Sequence, residues 1–428
     1  MNSAATSRNA ASADATSRDK TLITAAWVAP MDQPILRDGG VVFAAGTIVA
    51  VGAAKVLRAS HPDATVRELG DVVLLPGLVN PHTHLELSTG VAGDSPASFG
   101  DWILSLPKRI GRDRAKPPEA CFVPAVQLGI AQCLRFGVTS VGDISQNMDL
   151  SRPVLRDSPL RAVSYGEVLG LAKLRPRYEQ MLPRAIDRAL ESDRLRIGLT
   201  PHAPYTVDLP GYLQCVEVAR RMNLPLATHL AETTGERDFL QHHAGEFRRT
   251  WETLGEWADG VETFRAGGPI DFANEIGLLD YPTLLAHVNY CDDREMELLA
   301  RGRASVVYCP RTHRYFNHPP HRWREMLSRG INVAVGTDSC ASSPDLNLVD
   351  DLRLMHEIAP EFPVEQLWQM ATTRAAKAIR MDDVVGSLTP GKAADFVVFE
   401  AGTDKPLAEI LETLRLPKYV WISGSLSS

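Results

Sequence analysis

Leu74-Leu75-Pro76-Gly77-Leu78-Val79-Asn80-Pro81-His82-Thr83-His84 is the stretch that decides the fold. An apolar run of this length, punctuated by Pro and Gly, reads as a fully buried parallel strand, here over 73–79. In extended chain, residues i and i+2 share a face. His82 and His84 can therefore aim at one point beyond the strand's C-terminal end. Two neutral imidazoles converging there suit a divalent transition metal such as zinc. A pair of satisfied surface histidines after a strand would read the same way, so the rest of the chain must decide.

Working outward, the same texture recurs. Candidate strands fall at 138–143, 162–167, 197–200, 225–229, 284–287, 305–308 and 333–337. Segments with apolar residues at helical spacing lie between and beyond them, at 117–136, 209–222, 294–301 and 363–379. Strands alternating with helices in this number predict an α/β fold, a (β/α)8 TIM barrel, whose catalytic residues stand at the C-terminal strand ends. The ligand-type residues obey that rule. His82 and His84 follow strand 1, His202 strand 4, His229 strand 5 and His287 strand 6, while Asp338 follows strand 8. Random placement would rarely put so many at one end of a barrel. In His229-Leu230-Ala231-Glu232 a carboxylate follows a histidine by three residues. Glu232 there suits a proton shuttle beside a metal site; a helix-start Glu stabilised by the helix dipole is the plainer alternative.

The flanks differ from the centre. Residues 19–72 show short β-type runs split by turn residues, and 383–428 return to that texture. Each piece is too small to hold a core by itself, so the two chain ends are expected to build one small β-sandwich around a barrel spanning 73–382. Residues 1–18, rich in Ala, Ser and Thr, are expected to form a disordered tail and lack the apolar core of a secretion signal.

Composition narrows the function. The 428 residues are 44% hydrophobic and 23% charged, with a formal net charge of -7, which disfavours a nucleic-acid partner. No run is long and apolar enough to span a membrane. The six cysteines show no C-x-x-C spacing, as in a reduced cytoplasmic protein. A small-molecule substrate is the expected partner.

Together Pro76–His84 above, Pro201-His202-Ala203-Pro204-Tyr205, His229-Leu230-Ala231-Glu232-Thr233, Ala286-His287, Tyr308-Cys309-Pro310 and Gly336-Thr337-Asp338-Ser339 closely resemble the amidohydrolase superfamily. The resemblance spans about residues 20–425. It points to the branch of cytosine/adenosine-type deaminases and triazine hydrolases, and within it to the methylthioadenosine/S-adenosylhomocysteine deaminase and aminodeoxyfutalosine deaminase groups. It implies that His82, His84, His229 and Asp338 hold one divalent metal, zinc foremost, with iron or manganese as alternatives. It also implies that Glu232 moves protons, that His287 hydrogen-bonds the attacked group or the metal-bound hydroxide, that Asp338 accepts a proton, that His202 contacts substrate, and that the protein is a homo-oligomer. Binuclear members use a carboxylated lysine on strand 4; Arg196-Ile197-Gly198-Leu199-Thr200-Pro201-His202 has none, implying a mononuclear site.

The expected reaction is hydrolytic deamination of an amino-substituted heterocycle, a purine nucleoside-like compound. Triazine-like dechlorination, cyclic amide opening and a catalytically silent barrel serving in assembly are the alternatives. Two departures bear on substrate. In the Ser/Gly/Ala-rich loop 86–107, Glu86 and Asp94 are candidates for the acidic residue that grips ribose in methylthioadenosine-type relatives. After strand 7 the usual Cys-Pro-x-Ser-Asn becomes Cys309-Pro310-Arg311-Thr312-His313. The basic, aromatic stretch 311–324 can line the barrel mouth, where it would leave room for an anionic or aromatic substrate, or pack as rim; Arg311 and His313 are its candidate substrate contacts. The insertion 244–268, with Phe247, Trp251, Trp257 and Phe264, is either a lid or packing on the barrel flank, and Trp102 in the first loop could cover a substrate likewise.

Overall fold

The computed structural model describes residues 20–427 apart from 263, 265 and 266. The expected tail over 1–18 lies outside the described residues. Eight parallel strands follow one another around a barrel: Leu78–Thr83, Val138–Ser145, Arg161–Val168, Leu195–Pro201, Leu226–Leu230, Thr283–His287, Ser305–Tyr308 and Asn332–Val335. A parallel bridge between Thr83 and Asp338 joins the two ends of this sheet. Alternation of side chains sorts each strand into two faces. Val79, Ile144, Val163, Tyr165, Ala227, Ala286 and Ala334 share one core with Ile379 and Met381 inside the barrel. Ala162, Val168, Leu226 and Val333 face the surrounding helices.

The run quoted above is not one strand, which corrects the expectation. Val72–Pro76 pairs antiparallel with Phe396–Glu400 in a second sheet, and only Leu78–Thr83 enters the barrel. Gly77 makes the turn-off: a Cβ there would lie 2.2 Å from Thr139 Oγ1. Both halves are buried on both faces, which is why the apolar run is unbroken. The second sheet takes its strands from both chain ends. Arg161, first residue of the third barrel strand, ties the two sheets together through a buried 2.8 Å ion pair with Asp395.

The expected helix over 363–379 is two helices, Val364–Met370 and Thr373–Ala378. Between them the Ala371 carbonyl accepts from Val79 N at 2.8 Å, a contact that leaves the helical ladder for the first barrel strand. The insertion forms the helix Gly245–Leu254, packed against the helix Phe99–Arg109. Phe247 stacks on Tyr205 with ring centroids 3.9 Å apart, and Trp251 Nε1 donates to the Tyr205 carbonyl at 2.7 Å. The helix Gly245–Leu254 thus packs on Tyr205, just beyond the fourth barrel strand. Phe264 instead packs on Phe272. The cysteines are free, and no helix among the described residues is long and apolar enough to cross a membrane.

Candidate functional site

The strand ends bring His82, His84, His229, His287 and Asp338 together. Asp338 Oδ1 lies 3.7 Å from His82 Nε2 and 3.6 Å from His84 Nε2, and His84 Nε2 lies 3.3 Å from His229 Nε2. The ligand atoms of His82, His229 and His287 also lie within 4.8 Å of one another. Ligand bonds of about 2.0–2.2 Å would set tetrahedral edges of about 3.3–3.6 Å. The shorter separations approach those edges, and the group could hold a metal ion.

Electrostatics agree. Burial, reinforced by the neighbouring rings, pushes His82, His84 and His287 well below the ordinary histidine range, and His229 down to about 3. The imidazoles are neutral, so their approaches to Asp338 are not ion pairs. Neutral imidazole is the form that binds metal. The Nδ1 of His229 lies 3.0 Å from the His202 carbonyl, a bond it can only donate. Its Nε2 lone pair is left facing the cluster. Both ring nitrogens of buried His82 and Nε2 of His287 lack any hydrogen-bond partner. Asp338, pushed up to about 7 by burial, is steadied through Oδ2 by Ser342 at 3.1 Å, and Ser342 is in turn 3.1 Å from Thr312 Oγ1. His287 and Asp338 adopt left-handed backbone, with φ of 73° and 60°. Such non-glycine conformations cost about 1–3 kcal/mol each and cluster at functional sites.

Glu232 sits in a cradle. Its Oε1 is 3.3 Å from His287 Nε2, and its Oε2 accepts from the Tyr205 hydroxyl at 3.0 Å. Buried Glu236 accepts from the backbone N–H groups of Ala231 and Glu232 at 2.7 and 2.8 Å, and Asn289 Nδ2 donates to the Glu232 carbonyl at 3.0 Å. Burial, then Asp338, pushes the Glu232 carboxyl well up from its ordinary value. Tyr205, Glu236 and Asn289 were not read from the sequence. Glu236, four residues beyond Glu232, is the one its spacing could have suggested.

The remaining expected contacts separate. His202 lies beside the cluster, its ring centroid 4.7 Å from that of His229. His313 is buried, with Nε2 unpartnered and its ring 5.3 Å from those of Tyr308 and His318. Trp102 is buried among Phe99 and Phe316, and its Nε1 donates to the Ala341 carbonyl at 3.1 Å. Arg311 does not reach a substrate position as expected. Its guanidinium is held by Asp345 at 2.7 Å and Asp351 at 3.0 Å. Arg314, Arg322 and Arg324 are likewise paired with Glu357, with Asp293 and Glu325, and with Glu361. The 311–324 stretch thus spends its guanidinium groups on acids of this chain. Glu86 is also engaged, accepting from Ser145 Oγ at 2.8 Å and from Asn147 N and Nδ2 at 3.1 and 3.0 Å.

Comparison with known proteins gives this constellation its class. The amidohydrolase family profile matches residues 73–426, and the chain belongs to that family. It is a hydrolase of carbon–nitrogen bonds other than peptide bonds. A 5-methylthioadenosine/S-adenosylhomocysteine deaminase of Syntrophobacter fumaroxidans is 31% identical over 379 residues, covering 85% of this chain and 80% of the relative. One from Nitratidesulfovibrio vulgaris (strain DSM 19637 / Miyazaki F) is 29% identical, covering 89% and 83%. The crystal structure of Helicobacter pylori aminofutalosine deaminase with methylthio-coformycin superposes with a TM-score of 0.82 at 25% identity, covering 95% of this chain and all of that one. The relatives are deaminases of adenosine derivatives.

Proposed function

We propose that this protein is a metal-dependent hydrolytic deaminase of an amino-substituted heterocycle, a purine nucleoside-like compound, and that it releases ammonia. The observation that carries the reading is the convergence of His82, His84, His229 and Asp338 beside the buried carboxyl of Glu232. These four residues would hold one divalent ion, zinc foremost, iron or manganese otherwise. Such an ion lowers the pKa of a bound water from 15.7 to about 7.

The residues supply the rest. Water adds to the ring carbon that bears the amino group, and Asp338 takes the water proton. Glu232 protonates the ring nitrogen through a carboxyl aimed by Tyr205 and Glu236. His287, whose unpartnered Nε2 lies 3.3 Å from Glu232 Oε1, stabilises the tetrahedral carbon. Asp338 then passes its proton to the amino nitrogen, the carbon–nitrogen bond breaks as the new hydroxyl returns a proton to Glu232, and ammonia leaves while the ring gains an oxo group. His202, His313 and Trp102 contact the substrate. Ammonia release from adenosine-like, pterin and pyrimidine amines, by protein loaded in turn with zinc, iron and manganese, tests the reading. Chloride or carboxylic acid release from triazines or cyclic amides, with no ammonia from any amine, would replace it.

A further inference from the structure

The third barrel strand carries a carboxyl that the deamination chemistry does not use. Glu167 continues the series Val163, Tyr165, whose side chains pack inside the barrel, so alternation puts its own on the interior face one layer nearer the mouth. It is 2% exposed. Its Oε2 lies 4.0 Å from Nε2 of His202, too far for a direct hydrogen bond.

The His202 tautomer follows from its other nitrogen. Thr206 Oγ1, 2.8 Å from His202 Nδ1, donates to the Ala203 carbonyl at 3.0 Å and accepts from Ala203 N at 3.1 Å. With its own proton spent, Thr206 can only accept from His202 Nδ1–H. His202 Nε2 is therefore a bare lone pair, facing Glu167 across the gap. Two hydrogen bonds of about 2.8 Å meeting at about 90° on one oxygen span that 4.0 Å separation.

We propose that Glu167 and His202 form a two-point clamp for one hydroxyl group of the substrate, making Glu167 a specificity-determining residue. The inference rests on the deaminase reading above. The hydroxyl donates its proton to His202 Nε2 and accepts from the Glu167 carboxyl. Burial supports that direction: it holds the Glu167 carboxyl up at about 8, a donor facing the lone pair that the Thr206 contact leaves on His202. A sugar-like substituent supplies such a hydroxyl; a bare aromatic amine does not.

The test measures kcat and KM for ammonia release from adenosine, 2′-deoxyadenosine, 3′-deoxyadenosine and adenine. It uses the wild type, Glu167→Leu, Glu167→Asp and Glu167→Gln, each checked for metal content and melting temperature. Leu removes the donor, and Asp draws it back by one methylene. Both are expected to raise KM for adenosine about tenfold, the size of one neutral buried hydrogen bond, with the loss falling on KM rather than kcat. Gln, which keeps a donor, stays within about threefold. The penalty must vanish for the substrate that lacks the clamped hydroxyl. An unchanged KM, or an equal rise for all four compounds, overturns the clamp and leaves the deaminase reading standing. A wild type that releases ammonia from none of them sinks the nucleoside reading and the clamp with it. Should Leu destabilise the fold, Asp carries the comparison.

Discussion

Two polar clusters are buried at opposite ends of the same barrel, and they are built in opposite ways. At the base, Arg161 Nε donates to Asp395 Oδ2, its other arm donates to Ser423 Oγ, and Ser423 N donates to Asp395 Oδ1, each at 2.8 Å. The donors and acceptors answer one another. At the mouth, His82 has no partner on either nitrogen, and Nε2 of both His287 and His313 is orphaned. An unsatisfied buried polar group costs about 1–3 kcal/mol. Left-handed backbone at Ala231, His287 and Asp338 adds to that cost. The Arg161 cluster is complete by itself, whereas the imidazoles at the mouth are left with unpartnered nitrogens. The cavity near the base lined by Arg188, Arg196 and Arg380 follows the first pattern, with Arg188 on Glu191 and Arg196 on Asp383.

The contrast can be broken by experiment. His82→Ala should abolish metal binding, seen by elemental analysis, and ammonia release with it; a variant that kept both would place the cation elsewhere. Glu232→Gln should keep its metal and lose about 10²–10⁴ in kcat, read by steady-state kinetics. At the base the currency changes. Asp395→Ala leaves the Arg161 charge buried and unpaired, and should cost about 3–5 kcal/mol in urea unfolding while the folded enzyme keeps its kcat. A loss of kcat in that variant would mean the two ends are coupled. The smallest effect sharpens the boundary between the patterns. Glu236→Ala strips the acceptor from two backbone N–H groups under Glu232, and should cost about 1–3 kcal/mol in stability together with a partial fall in kcat. Glu236→Gln, which keeps one acceptor, should recover part of both.

Much of this was legible in one dimension, for a physical reason. Barrel strands are buried on both faces, so their apolar runs stand out between helices of different period. The runs at 138–143 and 305–308 correspond to the observed Val138–Ser145 and Ser305–Tyr308. The run at 73–79 misled because continuous hydrophobicity does not say which sheet each half joins. That was settled by the Thr139 side chain pressed against Gly77. The helix over 363–379 failed similarly, through a single bond from Val79. Arg311 read as a mouth residue because its partners, Asp345 and Asp351, lie 34 and 40 residues further on. Glu167 was passed over as one charge in an apolar strand, although its alternation with Val163 and Tyr165 was visible.

By itself, then, the sequence determined the alternating architecture and the placement of histidines and Asp338 at strand ends, because periodicity and punctuation are local properties of the chain. Only the tertiary structure decided which of those side chains meet, which arginines are already spoken for, and where His202 finds a carboxyl across a gap. Those outcomes depend on contacts such as Asn80 Nδ2 donating to Thr337 Oγ1 at 2.7 Å across 257 residues. No local pattern encodes them, since the free energy that fixes them exists only once the barrel has closed.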